Sequence, residues 1–393
     1  MNLRSLFLNH VAQTSDAPML IEVERAEGIY IYSPEGKRYV DLIAGVSVSN
    51  LGHNHPKIVR AVRQQVEKYM HLMVYGEYIQ SPQVQFAKLL TSYLPKELSS
   101  VYFVNSGTEA NEGAMKLAKR YTDRTEIVAF RHAYHGSTHG PLSIIGDESF
   151  RSNYRPLLPD VRSIRYNNFD DLNLITKRTA CVVAEAIQGE SGILQPKENF
   201  LQRLRKRCDE VGALLVFDEV QTGFGRTGSL FAFQKYNVQP DILTVAKAMG
   251  GGMPMGAFIS SKEIMSTLTH NPVLGHITTF GGHPVSATAG LAALDALMEE
   301  RLMDKVEEKE NLFRKLLVHS KIKEVRGVGL ILAVELGDKD LLQKFIRKGQ
   351  ENGILSDWFL FCSTAFRISP PLNITDKEIE EVSELILKTL NEI

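Results

Sequence analysis

The sequence predicts an α/β protein: a large domain built on a mostly parallel sheet of about seven strands, followed by a smaller α+β C-terminal domain. Apolar runs of strand length begin near residues 101, 126, 163, 181, 214, 242 and 255, and most are separated by helical stretches. Several of these runs end in small polar residues or a lone charge, at the strand ends where such sheets bind ligands. Beyond the alanine-rich stretch that begins at 276, the pattern changes to a strand pair and amphipathic helices. The expected division is an N-terminal segment with a small antiparallel meander (1–45), a large domain (46–290) and a small domain (291–393).

At 393 residues the chain is long enough for about two or three domains. Its formal net charge of −1 argues against a nucleic-acid or membrane-surface role, because both need an excess of positive field. Cys181, Cys208 and Cys362 are few and far apart, so they imply neither a disulfide framework nor a zinc cluster. No apolar run is long enough to span a bilayer, and the first ten residues lack the apolar core of a signal peptide. A cytoplasmic location is the expectation.

In chain order, residues 20–42 alternate as strands around a Pro34-Glu-Gly36 turn. Pro56 opens a helix expected to place Ile58, Val62, Val66 and Tyr69 on one face. Val101–Val104 runs into Asn105-Ser-Gly-Thr-Glu-Ala-Asn-Glu112 and then an amphipathic helix. That strand-to-helix junction can hold a phosphate on backbone N–H groups and the Ser106 and Thr108 hydroxyls, with Gly107 allowing close approach. A plain helix cap would use the same residues. The strand Glu126–Phe130 delivers Arg131-His-Ala-Tyr-His-Gly136, where Tyr134 could stack on a flat ring. His53 with His55, and His132 with His135 and His139, are conceivable metal ligands, but neither set brings a further ligand, and no metal is expected.

Two stretches carry the chemistry. Leu214-Leu-Val-Phe-Asp-Glu-Val-Gln221 is a buried-type strand ending in Asp218, and Asp241-Ile-Leu-Thr-Val-Ala-Lys-Ala-Met-Gly-Gly-Gly places Lys247 between an apolar run and three glycines. A lysine at the mouth of a parallel sheet, facing an acid from a neighbouring strand, suits an imine-forming amine. Lys247 is therefore expected to hold pyridoxal phosphate (PLP) as a Schiff base, with Asp218 paired to the pyridinium nitrogen. Gly223-Phe-Gly-Arg-Thr-Gly228 matches G-x-G-x-x-G and raises a nicotinamide-dependent dehydrogenase as the rival, but no acidic strand end follows about 20 residues later. In Phe366-Arg-Ile-Ser-Pro-Pro371, Arg367 sits within an apolar strand, where a guanidinium is costly without an anion. A carboxylate clamp and an internal salt bridge both satisfy that requirement.

Taken together, Leu51-Gly-His-Asn-His-Pro56, Asn105–Glu112, Ile187-Gln-Gly-Glu190, Phe217–Gly223, Lys247 and Arg367 make the chain resemble class III PLP-dependent aminotransferases, particularly the ornithine and acetylornithine group. The resemblance implies the type I fold and a homodimer with shared active sites. It implies Lys247 as the lysine that binds the cofactor and moves the proton, with Asp218 keeping the ring nitrogen protonated. Val220 and Tyr134 would sandwich the ring, Gln221 would bond its phenolic oxygen, and Ser106, Gly107 and Thr108 would hold the phosphate with Thr279 of the other subunit. Arg367 would clamp the α-carboxylate of glutamate or 2-oxoglutarate, with Glu190 as its gate, and Thr278 and Tyr75 would join the substrate site. The implied reaction transfers an amino group between a terminal (ω) amine and a 2-oxo acid; an aminomutase would share every cofactor residue.

Two features depart from the ornithine and acetylornithine pattern. An arginine usually follows His-Gly in those enzymes, and Ser137 stands there instead. The segment Trp358–Phe366 before Arg367 is also more apolar and slightly longer than usual. Both suit a less acidic or more hydrophobic ω-amine.

Overall fold

The structure is a computed structural model describing residues 2–393. Its strands, in chain order, are β1 (Arg25–Glu27), β2 (Tyr30–Tyr32), β3 (Arg38–Asp41), β4 (Ser100–Val104), β5 (Glu126–Phe130), β6 (Val161–Ile164), β7 (Thr179–Ala184), β8 (Leu214–Asp218), β9 (Ile242–Val245), β10 (Gly256–Ser260), β11 (Glu324–Val328), β12 (Ile331–Glu335), β13 (Ile354–Leu355), β14 (Trp358–Phe359) and β15 (Cys362–Ile368). Seven of them form the central sheet in the order β4-β10-β9-β8-β7-β5-β6. Only β10 runs antiparallel to its neighbours, so this is the mostly parallel seven-stranded sheet of the type I fold. Strands β5, β7 and β8 are buried along their whole length. They are continuous apolar runs because helices cover both faces of such a sheet.

The antiparallel sheet β11-β12-β15-β14 forms the core of the C-terminal part, and Arg367 lies opposite Ala333 in its register. The N-terminal meander is not a free-standing unit. β13 adds to β3 in parallel, pairing Ile354 with Val40, and so ties the two ends of the chain together. Alternation alone could not show this pairing, because β13 is only two residues long.

Two helical expectations need correction. The helix Pro56–Lys68 ends before Tyr69, which is extended, and it buries Ile58 and Gln65 while Val66 stands exposed. The alanine-rich helix starts at Pro284 rather than near 276, because Gly281, Gly282 and His283 form the turn leading into it. That helix, Pro284–Glu299, is buried on nearly every side. Its small residues permit close backbone approach: a Cβ on Gly290 would come 2.5 Å from the Met249 carbonyl oxygen, and one on Gly251 would come 2.8 Å from that of Ala289. The helix therefore supports the turn that carries Lys247.

The G-x-G-x-x-G match does structural work instead. Arg226, its central cation, is fully buried and donates to the carbonyls of Leu330 and Pro370 and to Asn50 Oδ1. It joins the loop after β8 to Asn50, to the turn between β11 and β12 and to the turn that follows β15. Burial without a carboxylate at contact distance pulls its pKa down to about 9. Arg226→Met should lower the unfolding free energy by about 3 kcal/mol, because three buried acceptors lose their donor. Urea denaturation measures this, and a loss under about 1 kcal/mol would contradict the assigned role.

Candidate active site

The C-terminal ends of the central strands open onto a cavity of about 810 Å³. At the end of β8, Asp218 is buried and held by three donors. Asn111 Nδ2 donates to its Oδ2 at 2.8 Å, His135 Nδ1–H donates to the same oxygen at 2.7 Å, and the Val220 amide donates to Oδ1 at 3.0 Å. Burial opposes a charge on His135, but its bond to Asp218 prevails and raises the imidazole pKa above the ordinary value. This imidazole, considered as a metal ligand from sequence, is instead committed to a carboxylate. Among the described residues no group of three His, Cys, Asp or Glu could hold a metal ion.

Lys247 follows β9 with a left-handed φ of 51°, a conformation that costs a non-glycine residue about 1 kcal/mol or more. Burial pushes its amine below the usual lysine pKa, Glu190 partly restores it, and Arg367 adds to the lowering. A less protonated amine is a better nucleophile and base.

The helix Gly107–Thr122 begins at the cavity wall, capped by the Ser106 hydroxyl, which accepts from the Glu109 amide at 3.3 Å. A Cβ on Gly107 would come 2.9 Å from Val220 Cγ1, so glycine keeps the passage beside this helix end clear. Thr108 Oγ1 lies 2.6 Å from Thr138 Oγ1. Tyr134, Val220 and Gln221 line the same cavity. Glu185, also on its wall, accepts from the Tyr134 and Gly189 amides, and burial raises its pKa to about 7.

Across the cavity Arg367 is 1% exposed. Its Nη2 donates to both Glu190 oxygens at 3.0 and 3.2 Å, and its Nε donates to Asp357 Oδ1 at 2.8 Å. Burial works to raise the Glu190 pKa, yet the charge of Arg367 holds it below the usual carboxylate value.

Lys247, Asp218, Ser106, Gly107, Thr108, Tyr134, Val220, Gln221, Glu190 and Arg367 thus share one cavity. Tyr75, Thr278 and Thr279 do not line it. Tyr75 and Thr278 border a separate cavity of about 380 Å³, and Thr279 is exposed. The sequence reading missed Asn111, Glu185 and Asp357, and it considered His135 only as a metal ligand, a role it set aside. Asn111 had a usable signal: it lies one helical turn beyond Gly107, on the same face.

The chain matches the aminotransferase class-III family model over residues 11–390. It belongs to the class III aminotransferases. It is 40% identical to acetylornithine aminotransferase of Methanopyrus kandleri over 361 residues, covering 90% of each chain. An ornithine aminotransferase structure from Toxoplasma gondii superposes with a TM-score of 0.92 at 29% identity, covering 99% of this chain and 93% of the other. An (S)-enantioselective omega-transaminase from Thermomicrobium roseum gives 0.90 at 28% identity, covering 99% and 97%.

The protein is a PLP-dependent aminotransferase. Its cavity fits that cofactor: a buried amine, a buried carboxylate fixed by three donors, and a helix N-terminus cleared by glycine stand around one space.

The His135–Asp218 contact carries a pH signature. A histidine whose folded pKa is raised contributes stability that is full below its unfolded value and is lost as pH rises through the folded value. His135→Gln should therefore flatten the decline in stability above about pH 6.5. Denaturation midpoints collected from pH 6 to 9 check this; an unchanged pH slope would contradict it.

Proposed function

We propose that this aminotransferase takes the amino group from a terminal amine whose far end carries no carboxylate, and passes it to a 2-oxo acid, with 2-oxoglutarate the expected acceptor. The convergence of Lys247, Asp218 and the Arg367–Glu190 pair on one cavity carries this reading. PLP, when bound, supplies an electron-accepting ring that stabilises negative charge on the carbon next to the transferred nitrogen.

The residues divide the remaining work. Asp218, oriented by Asn111, His135 and the Val220 amide, would hold the ring nitrogen with its proton. Ser106, Gly107 and Thr108 would hold the phosphate at the helix end. Tyr134 and Val220 would flank the ring, and Gln221 would bond its phenolic oxygen. Lys247 Nζ would hold the cofactor, then remove the proton from the substrate carbon that bears the nitrogen and return it on the other side of that nitrogen, a 1,3 shift. Its lowered pKa suits both duties.

Arg367 and Glu190 would let one pocket serve two substrates. With the amine bound, Glu190 neutralises Arg367, as the structure has it. With the 2-oxo acid bound, the acceptor's α-carboxylate would take the place of Glu190. A buried arginine tolerates this exchange because one anion replaces another.

The cavity wall supports the amine assignment. Its acids are Glu185, Glu190, Asp218 and Asp357, set against the cations Lys247 and Arg367. Met19, Val46, Val48, Trp358 and Leu360 also line the cavity, as does Ser137. An amine with an apolar body suits that wall better than one ending in a carboxylate.

A homodimer belongs to the same proposal. Thr279 is exposed and does not line the cavity of its own chain, and it neighbours the exposed Ile277 and Phe280, which a second copy would cover while receiving Thr279. Tyr75 and Thr278 would reach a substrate by the same route. No helix among the described residues is long and apolar enough to cross a membrane, and the three cysteines are free; a cytoplasmic location is proposed on the cysteines.

Transamination assays test both halves. Lys247→Ala should lose at least about 10³-fold in turnover with its circular dichroism spectrum unchanged, and retention of more than about a tenth of the activity would refute the assignment. In a donor panel with 2-oxoglutarate, ω-amines with apolar bodies should outrank acetylornithine by about tenfold or more in kcat/KM. Acetylornithine as by far the best donor would refute the donor class.

A further inference from the structure

Arg367 has a second carboxylate partner that the two-substrate switch does not use. We propose that Asp357 is a positioning residue for the acceptor half of the reaction: it fixes the Nε edge of Arg367 so that the opposite edge is presented to the carboxylate of the incoming 2-oxo acid. This rests on the reading of Arg367 as the carboxylate clamp.

The geometry assigns the two acids different parts. Asp357 Oδ1 takes Nε at 2.8 Å, and the Asp357 carbonyl accepts the Arg367 backbone amide at 2.9 Å, so residue and partner are joined twice across β14 and β15. Ser356 Oγ closes the same junction by donating to the Arg367 carbonyl at 2.7 Å. The guanidinium lies over the Phe359 ring, 4.5 Å from its centroid. These contacts leave it no freedom to turn. Glu190 meets only Nη2, and Nη1 is buried without a hydrogen-bond partner. A buried guanidinium nitrogen lacking an acceptor is costly. A carboxylate arriving in place of Glu190 could take Nη1 and Nη2 together in the two-pronged geometry that suits this pair.

Glu190 is held from the same hairpin as Asp357. The Leu360 amide donates to its Oε2 at 3.1 Å, and the Phe361 amide donates to its backbone carbonyl at 3.0 Å. The β14–β15 hairpin therefore carries the fixed partner of Arg367 just before β14 and the latch of its exchangeable partner in its turn.

The two half-reactions, followed separately by single-turnover absorbance, test this. Asp357→Ala should shift the ratio of the half-reactions at least about tenfold against the 2-oxo acid side, through the KM-like term for the acceptor rather than through its limiting rate. Asp357→Asn, which keeps an acceptor for Nε, should recover most of that shift. An unshifted ratio in Asp357→Ala would overturn the inference. So would an equal fall of both half-reactions in the two variants, which marks a merely structural residue. Arg367→Ala separates the two readings: if it leaves acceptor saturation unchanged, the clamp itself is wrong. If it weakens saturation while Asp357→Ala does not, only the role of Asp357 fails.

Discussion

A carboxylate taken out of water must find donors or lose its charge, and the site depends on how Asp218 meets that demand. Three groups from three different parts of the chain supply the donors: Asn111 from the helix after β4, His135 from the loop after β5, and the amide of Val220 just beyond β8. Each comes from the C-terminal side of a central strand, so the parallel sheet is what makes the convergence possible. Asn111 also accepts from Thr244 Oγ1 at 2.8 Å, which ties the network to β9 and hence to Lys247 three residues later. A buried acid and a buried amine therefore sit on one rigid frame. The close packing of the helix Pro284–Glu299 behind the Lys247 turn completes it.

Arg367 faces the same demand with the opposite sign. It is among the largest fully buried side chains, and it is stable there only because anions surround it. The reaction requires one of those anions to leave. A division into a fixed partner and an exchangeable partner meets both needs. It also explains why the hairpin bearing Asp357 and Leu360 belongs to the catalytic cavity although it lies in the C-terminal sheet.

Much of this was legible in the sequence, for physical reasons. The buried strands announced themselves as uninterrupted apolar runs, and Asp218, Lys247 and Arg367 were conspicuous as charges placed where burial penalises charge. What escaped was whatever depended on side-chain pairing across the fold. His135 could be considered in the sequence only as a metal ligand, a role it did not favour, and its carboxylate partner shows once Asp218 is seen 2.7 Å away. Asp357 sits in an apolar stretch whose direction of turn the sequence does not encode locally. The G-x-G-x-x-G match, set aside in the sequence for want of an acidic strand end, has a structural use. Arg226, which would clash with a dinucleotide role, proved to be a buried tie between chain segments. Tyr75, Thr278 and Thr279 do not line the cavity of their own chain, and nothing in their sequence neighbourhood marks that.

The central claim is that Lys247, among all the lysines of the chain, is the one that carries the cofactor. Borohydride reduction of the PLP-loaded protein fixes the link between cofactor and lysine permanently, and peptide mapping by mass spectrometry then locates it. The account predicts the pyridoxyl mass on the peptide containing Lys247 and on no other. A pyridoxyl group found on any other lysine would contradict it.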